Sequence, residues 1–171
     1  LYRPRKCPLS KFALSACDWN DAYFKMKEHI ESEHKDKVTC FTSEKKVHMK
    51  HFDYSKKCSR ILFACNEIFY QQFEVKDEIF YFVVQHLVPG NSRKKYLYNL
   101  SINGVTQKKN QGMNFVSKAQ SFDVDLDQIY MAGECPMIHF NMIKNLMEGK
   151  DIFEFTIEIS KDDGKNKQTK S

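Results

Sequence analysis

Along most of this chain apolar and polar positions alternate, a period that predicts β-strands. The cleanest stretch is 152–159. There Phe153, Phe155, Ile157 and Ile159 fall on one face, and Glu154, Thr156 and Glu158 fall on the other. Over 95–103 Tyr96, Tyr98, Leu100 and Ile102 share a face, and Asn103-Gly104 follows as a turn. Over 68–75 Phe69, Phe73 and Val75 share a face, with Gln71 among them. The run 79–88 opens Ile79-Phe80-Tyr81-Phe82-Val83-Val84. It is apolar on both faces and predicts a central strand. Shorter strands are predicted over 47–53, 60–65, 113–122 and 137–142, and a short helix or turn over 123–132. Strands so closely spaced, joined by turns such as Pro89-Gly90-Asn91-Ser92, predict an antiparallel sandwich or barrel. The polar stretch 161–171 reads as a frayed tail.

The first 35 residues follow a different pattern. Pro4 and Pro8 break helix, so 1–20 reads as an extended or hairpin segment ending in the turn Asp18-Trp19-Asn20-Asp21. A helix is predicted over 21–34, capped by Asn20 or Asp21, with Tyr23, Met26 and Ile30 at helical spacing. His29 and His34 lie five apart on it, about 140° round an ideal helix. The two rings can face one point only if the last turn loosens.

Composition narrows the class. With 171 residues and 20.2 kDa the chain holds one ordinary domain and a small appendage. Apolar residues at 42% and aromatics at 13% exclude a disordered chain. Mean hydropathy is −0.59, and no apolar run approaches the roughly 20 residues of a membrane helix. The opening Leu1-Tyr2-Arg3-Pro4-Arg5-Lys6 is basic, has no apolar stretch behind it and begins without Met. It therefore reads as the start of a piece of a longer protein without a signal peptide. Net charge is +5 and uneven. Residues 1–60 hold 14 Lys/Arg against 8 Asp/Glu, and residues 61–171 hold 13 against 14. The basic third suits solvation, an acidic protein partner or nucleic acid. It shows no interleaved aromatic and basic pattern of the kind that stacks bases, and the helix face Lys25, Lys27, Lys35 is sparse.

The six cysteines are scattered, unlike a secreted disulfide framework, which points to a reducing compartment, cytoplasm or nucleus. Cys40, Cys58, Cys65 and Cys135 sit in apolar or strand-like surroundings and read as small hydrophobes. Cys7 and Cys17 differ: with His29 and His34 they form C-x9-C-x11-H-x4-H, whose last two gaps fall near those of a two-Cys, two-His zinc site. Spacing alone leaves open that Cys7 is an exposed thiol and that the histidines sit on a polar helix end. His48, His51, His86 and His139 show no partner spacing. No catalytic constellation is legible. Cys135 and His139, four apart on a strand, would lie roughly 13 Å from each other. Asp123-x-Asp125-x-Asp127 lacks the sixth-position glycine of a calcium loop, where Gln128 stands.

Together these residues resemble a family. Tyr2-Arg3-Pro4, Cys7-Pro8, Cys17-Asp18-Trp19 and Met26…His29…His34-Lys35 resemble the second zinc finger of the seven-in-absentia (Sina/Siah) ubiquitin ligases, with a longer first gap. Phe80-Tyr81-Phe82-Val83-Val84-Gln85 resembles the family's aromatic-aliphatic strand. Tyr96-Leu97-Tyr98-Asn99-Leu100-Ser101-Ile102-Asn103-Gly104 resembles its Tyr-x-Leu-x-Leu-Asn-Gly hairpin, and 152–159 its last strand. The likeness runs over about residues 2–160. It implies a mainly β fold: a zinc finger over 1–36, a TRAF-like antiparallel eight-stranded β-sandwich over 37–160, and a flexible tail over 161–171. It also implies one structural Zn²⁺ on Cys7, Cys17, His29 and His34. By the same likeness, Val38, Cys40, Cys58, Arg60 and Leu62 fall at the groove where the family binds extended peptide degrons. Arg60 takes the place of a family Trp and would favour an acidic or polar peptide residue. The function so implied is client recognition for ubiquitination and proteasomal degradation. The module would act as a homodimer, with the conjugating enzyme engaged by a RING outside this chain. A ligase-free adaptor of the same fold is the second reading, and a nucleic-acid-binding finger the third.

Overall fold

The computed structural model describes residues 4–11, 16–40, 44–55, 57–87, 93–104, 112–147 and 149–164; the side chains of 11, 37–40, 44–46 and 48 lie outside that description. So do the turn predicted over 89–92 and the last seven residues of the predicted tail. No helix among the described residues is long and apolar enough to cross a membrane.

The N-terminal part is a hairpin followed by a helix. Strand β1 (Pro4–Lys6) pairs antiparallel with β2 (Asn20–Ala22), and the short helix α1 (Pro8–Lys11) begins the loop between them. A 3₁₀ turn, Tyr23–Lys25, leads into α2 (Met26–Glu33). The predicted helix is therefore shorter than expected. Its first residues belong to the hairpin and the 3₁₀ turn, and Asp21 bonds the Ala22 N–H and the Lys25 ammonium instead of capping α2.

The rest forms two sheets. One contains β3 (Val38–Cys40), β5 (Cys58–Ala64), β6 (Glu67–Lys76), β7 (Ile79–His86), β10 (Gln120–Ser121) and β11 (Met137–His139). Its order is β10-β7-β6-β5-β3, and β11 shares the outer edge of β7 with β10. The other is antiparallel throughout, in the order β4 (Glu44–Lys50), β12 (Ile152–Lys161), β8 (Tyr96–Asn103), β9 (Gly112–Lys118). The described residues thus hold ten strand segments in two sheets, against the eight expected. Two pairings, β3 with β5 and β10 with β7, are parallel.

The sheets face each other across an aromatic core. Phe153, Phe155, Ile157 and Ile159 of β12 and Tyr96, Tyr98, Leu100 and Ile102 of β8 are all buried, as their alternation predicts. They meet Phe73, Phe80 and Phe82: ring centroids lie 5.4 Å apart for both Phe80–Phe153 and Phe82–Phe155. The Tyr98 hydroxyl crosses the layer and donates to the Phe82 carbonyl at 3.0 Å. Strand β7 is buried on both faces because its other side is covered too. Helix α3 (Leu126–Ala132) places Ile129 and Tyr130 over Val83. Leu9, Met26 and Ile30 of the N-terminal part pack on Ile61, Phe63, Ile68, Tyr70 and Leu87. At 137–142 the predicted strand stops at His139, and α4 (Phe140–Met147) begins. Phe140, Ile143, Leu146 and Met147 form its inward stripe. The predicted 113–122 strand is two pieces, β9 and β10, paired with different sheets.

Candidate metal centre and the neighbouring strand edge

Hairpin and helix bring four donors to one point. Cys7 follows the last residue of β1, Cys17 precedes β2, His29 lies within α2, and His34 follows the last residue of α2. His34 leaves the helical conformation (φ −131°, ψ 30°) while its N–H still reaches the Ile30 carbonyl at 2.9 Å. This is the loosened last turn that a five-residue separation demands. The Cys7 N–H donates to the Trp19 carbonyl at 3.1 Å and holds the two cysteine-bearing segments side by side.

The four ligand atoms all lie within 4.8 Å of one another. Cys7 Sγ is 3.5 Å from His34 Nε2, and Cys17 Sγ is 3.4 Å from His29 Nε2. A tetrahedral ion with ordinary sulfur and nitrogen bond lengths places such neighbours about 3.6 Å apart, so these residues fit the ion. The group can hold one metal ion in a set of two sulfurs and two imidazoles. Four protein donors would fill a tetrahedral sphere and leave no position for a reacting water, so an ion held there would be structural. Burial pushes the Cys7 thiol up to about 11, opposed by the backbone N–H groups of Leu9 and Ser10. Burial first, and then the neighbouring His34, hold His29 below its ordinary value, in the neutral form that ligates. The Trp19 ring stacks on His29 at 4.6 Å and 6° and holds that imidazole in place. The sequence carries no spacing rule that assigns this role to Trp19.

Beside this centre, β3 and β5 carry the predicted groove positions. Cys58, Arg60 and Leu62 share the face of β5 that looks into the sandwich. Leu62 is buried in the core, so an incoming peptide meets it only if packing opens. The Arg60 guanidinium is half-buried, 5.8 Å from the Phe155 ring centroid, with Nη2 at 3.5 Å from Cys58 Sγ and 3.8 Å from Met49 Sδ. Opposite it on β6, Gln71 is wholly buried, and neither of its side-chain amide atoms has a partner among the described residues. The Val38 and Cys40 side chains lie outside the described residues. Their backbone pairs in parallel with Ile61–Phe63 and ends the sheet.

A second polar cluster has no signal in the spacing. Glu67 is buried and accepts bonds from Lys94 and from His86 Nε2, the latter at 3.2 Å; His86 packs between the rings of Phe69 and Tyr96. The residues are far apart in sequence and meet because β6 pairs with β7. Compared with models of known protein families and with curated proteins, the chain matches none.

Proposed function

We propose that this chain is the client-recognition part of a Sina/Siah-like RING ubiquitin ligase. A zinc-held finger is docked on a TRAF-like sandwich that binds extended peptide degrons of client proteins and pairs as a homodimer. The observation that carries this reading is the convergence of Cys7, Cys17, His29 and His34, in the order of the resemblance, on a module packed against the sheet that ends in β3. Zinc is the ion that two thiolates and two imidazoles in a closed tetrahedral set select.

The recognition step needs no reaction at this surface. A peptide laid along β3 gains main-chain hydrogen bonds from an edge strand that has one neighbour among the described residues. Cys58 and Arg60 then contribute to the selective surface, and the resemblance adds the positions of Val38 and Cys40 to it. Among the described residues Arg60 meets only sulfur atoms and an aromatic face, and the wholly buried Gln71 amide lies opposite it. An acidic peptide residue would complete the guanidinium's bonding, so the preferred degron carries Asp or Glu there. Ubiquitin is transferred elsewhere, by a conjugating enzyme on a RING outside this chain, and leads to degradation of the client.

Purified activating and conjugating enzymes, incubated with the full-length protein and a client peptide array, test the reading. Ubiquitin transfer that depends on acidic peptides and is lost in Arg60→Ala is expected. Peptide binding without transfer would instead identify a ligase-free adaptor. Absence of both overturns the assignment.

A further inference from the structure

A cavity of about 350 Å³ lies at the junction of the finger and the sheet, away from the β3–β5 edge. Pro8, Met26 and Leu87 give it an apolar interior, and all three are buried. Phe122, at the end of β10, forms another wall. The hydroxyl of Tyr23 donates to the Leu87 carbonyl and ties the finger to the sheet at this spot. The size is at the lower end for ligand sites and suits one large side chain rather than a whole ligand.

The rim is charged. Arg5 and Lys6 stand on one strand and Asp123 on the opposing segment. Neither Arg5 nor Lys6 meets a carboxylate among the described residues. Two cations against one carboxylate leave the mouth positive, in the stretch of chain that carries the basic surplus. Both cations belong to β1, which pairs only with β2 among the described residues. A strand edge with no partner among the described residues, an apolar hole sized for one side chain and a surplus of cations therefore lie together.

We propose that this junction is a second peptide site. A partner protein lays an extended acidic segment along β1, buries one aromatic or large aliphatic side chain in the cavity, and sets a flanking Asp or Glu against Arg5 and Lys6. An anchor in a pocket supplies most of the affinity in such a contact, and the rim charges set the choice of partner. The site does not rest on the degron reading.

The test is a titration of the ¹⁵N-labelled, metal-loaded chain with acetyl-Ser-Glu-Phe-Glu-Ser-amide, its Lys-Phe-Lys counterpart and its Glu-Ala-Glu counterpart. The Glu-Phe-Glu peptide is expected to shift the amides of Lys6, Tyr23, Leu87 and Asp123. The Lys-flanked peptide is expected to bind roughly tenfold more weakly, and the Ala peptide not at all. The double variant Arg5→Glu/Lys6→Glu, on exposed or half-buried positions, should reverse the charge preference while its remaining spectrum stays that of the parent. Shifts confined to Cys58–Leu62 would support the strand-edge groove and overturn this site. An absence of shifts, or an unchanged preference in the double variant, overturns it as well. Failure of ubiquitin transfer bears on the degron reading alone.

Discussion

At the scale of single residues, the metal centre depends on donor chemistry and on what holds each donor. Cys17→Ala or His34→Ala removes one of four donors, and a water must then complete the tetrahedron, which weakens the hold on the ion. Both variants are expected to lose the roughly one equivalent of bound zinc that elemental analysis should find in the parent, together with the visible absorption of the cobalt-substituted form. Trp19 offers an independent readout, since it is the only tryptophan and stacks on His29. Chelation should change its fluorescence, and readdition of zinc should restore it. No change would show that the imidazole is not being fixed by a metal. Spacing alone leaves the four candidate ligands open against an exposed thiol and a polar helix end; the resemblance singles them out, and the fold brings their donor atoms within 4.8 Å of one another. The role of Trp19 was not legible, because stacking depends on where β2 and α2 run in space. The same limit applies to Leu62. Its place beside Arg60 in a strand fixes which face it shares, and only the opposing sheet determines that this face is interior at that point.

At the scale of elements, the strands follow their alternation and the turns do not follow their residues. Two hairpin loops, Cys65-Asn66 and Asp77-Glu78, hold four consecutive-pair residues at φ between 51° and 62°. This is the doubly left-handed geometry that matches strand twist in a two-residue loop, and it normally selects Asn-Gly. Glu at the second position of β6–β7 is strained. Glu78→Gly is expected to stabilise the protein by about 1 kcal/mol, seen as a rise in thermal midpoint. A fall would mean that the Glu78 side chain contributes more than the backbone strain costs. Helix α4 begins inside the stretch 137–142 where the sequence predicts a strand. Phe140, Ile143, Leu146 and Met147 keep helical spacing, and the β-like start Met137-Ile138-His139 masks it. Because α4 closes one end of the sandwich core, Ile143→Asp should destabilise by more than about 3 kcal/mol. By contrast, Met142→Asp on its exposed side should stay within about 0.5 kcal/mol in denaturant melts.

For the molecule as a whole, the finger and the sandwich form one packed body that shares a hydrophobic cluster, with the Glu67 network at their junction. Tyr23 from the finger, Lys94 and Tyr96 from the sandwich, and His86 all face Glu67. Burial alone would raise the Glu67 carboxyl, but bonds from Lys94 and His86 outweigh it and hold the group below its ordinary value. Burial lowers His86, against a smaller opposing pull from Glu67. Both groups therefore bind protons more readily unfolded than folded, so stability falls as pH drops. The fall should begin near the ordinary histidine value of about 6.5 and steepen below the carboxylate value of about 4.3. Lys94→Gln removes one holder of the carboxylate and is expected to move the acid midpoint to higher pH in circular dichroism melts. An unmoved midpoint would place the acid lability elsewhere. The sequence by itself determined what depends on local period: a mainly β chain, the inward faces of β8 and β12, and four candidate metal donors on a hairpin and helix. Tertiary structure alone decided what depends on non-local pairing. It set the two-sheet order with its parallel edges, the helix α3 over the outer face of β7, the N-terminal module over β5 and β6, the Glu67–His86 contact and the cavity beside β1. A residue's period says which way it points along its own strand. Which surface it meets is set by chain segments that close over it from far along the sequence.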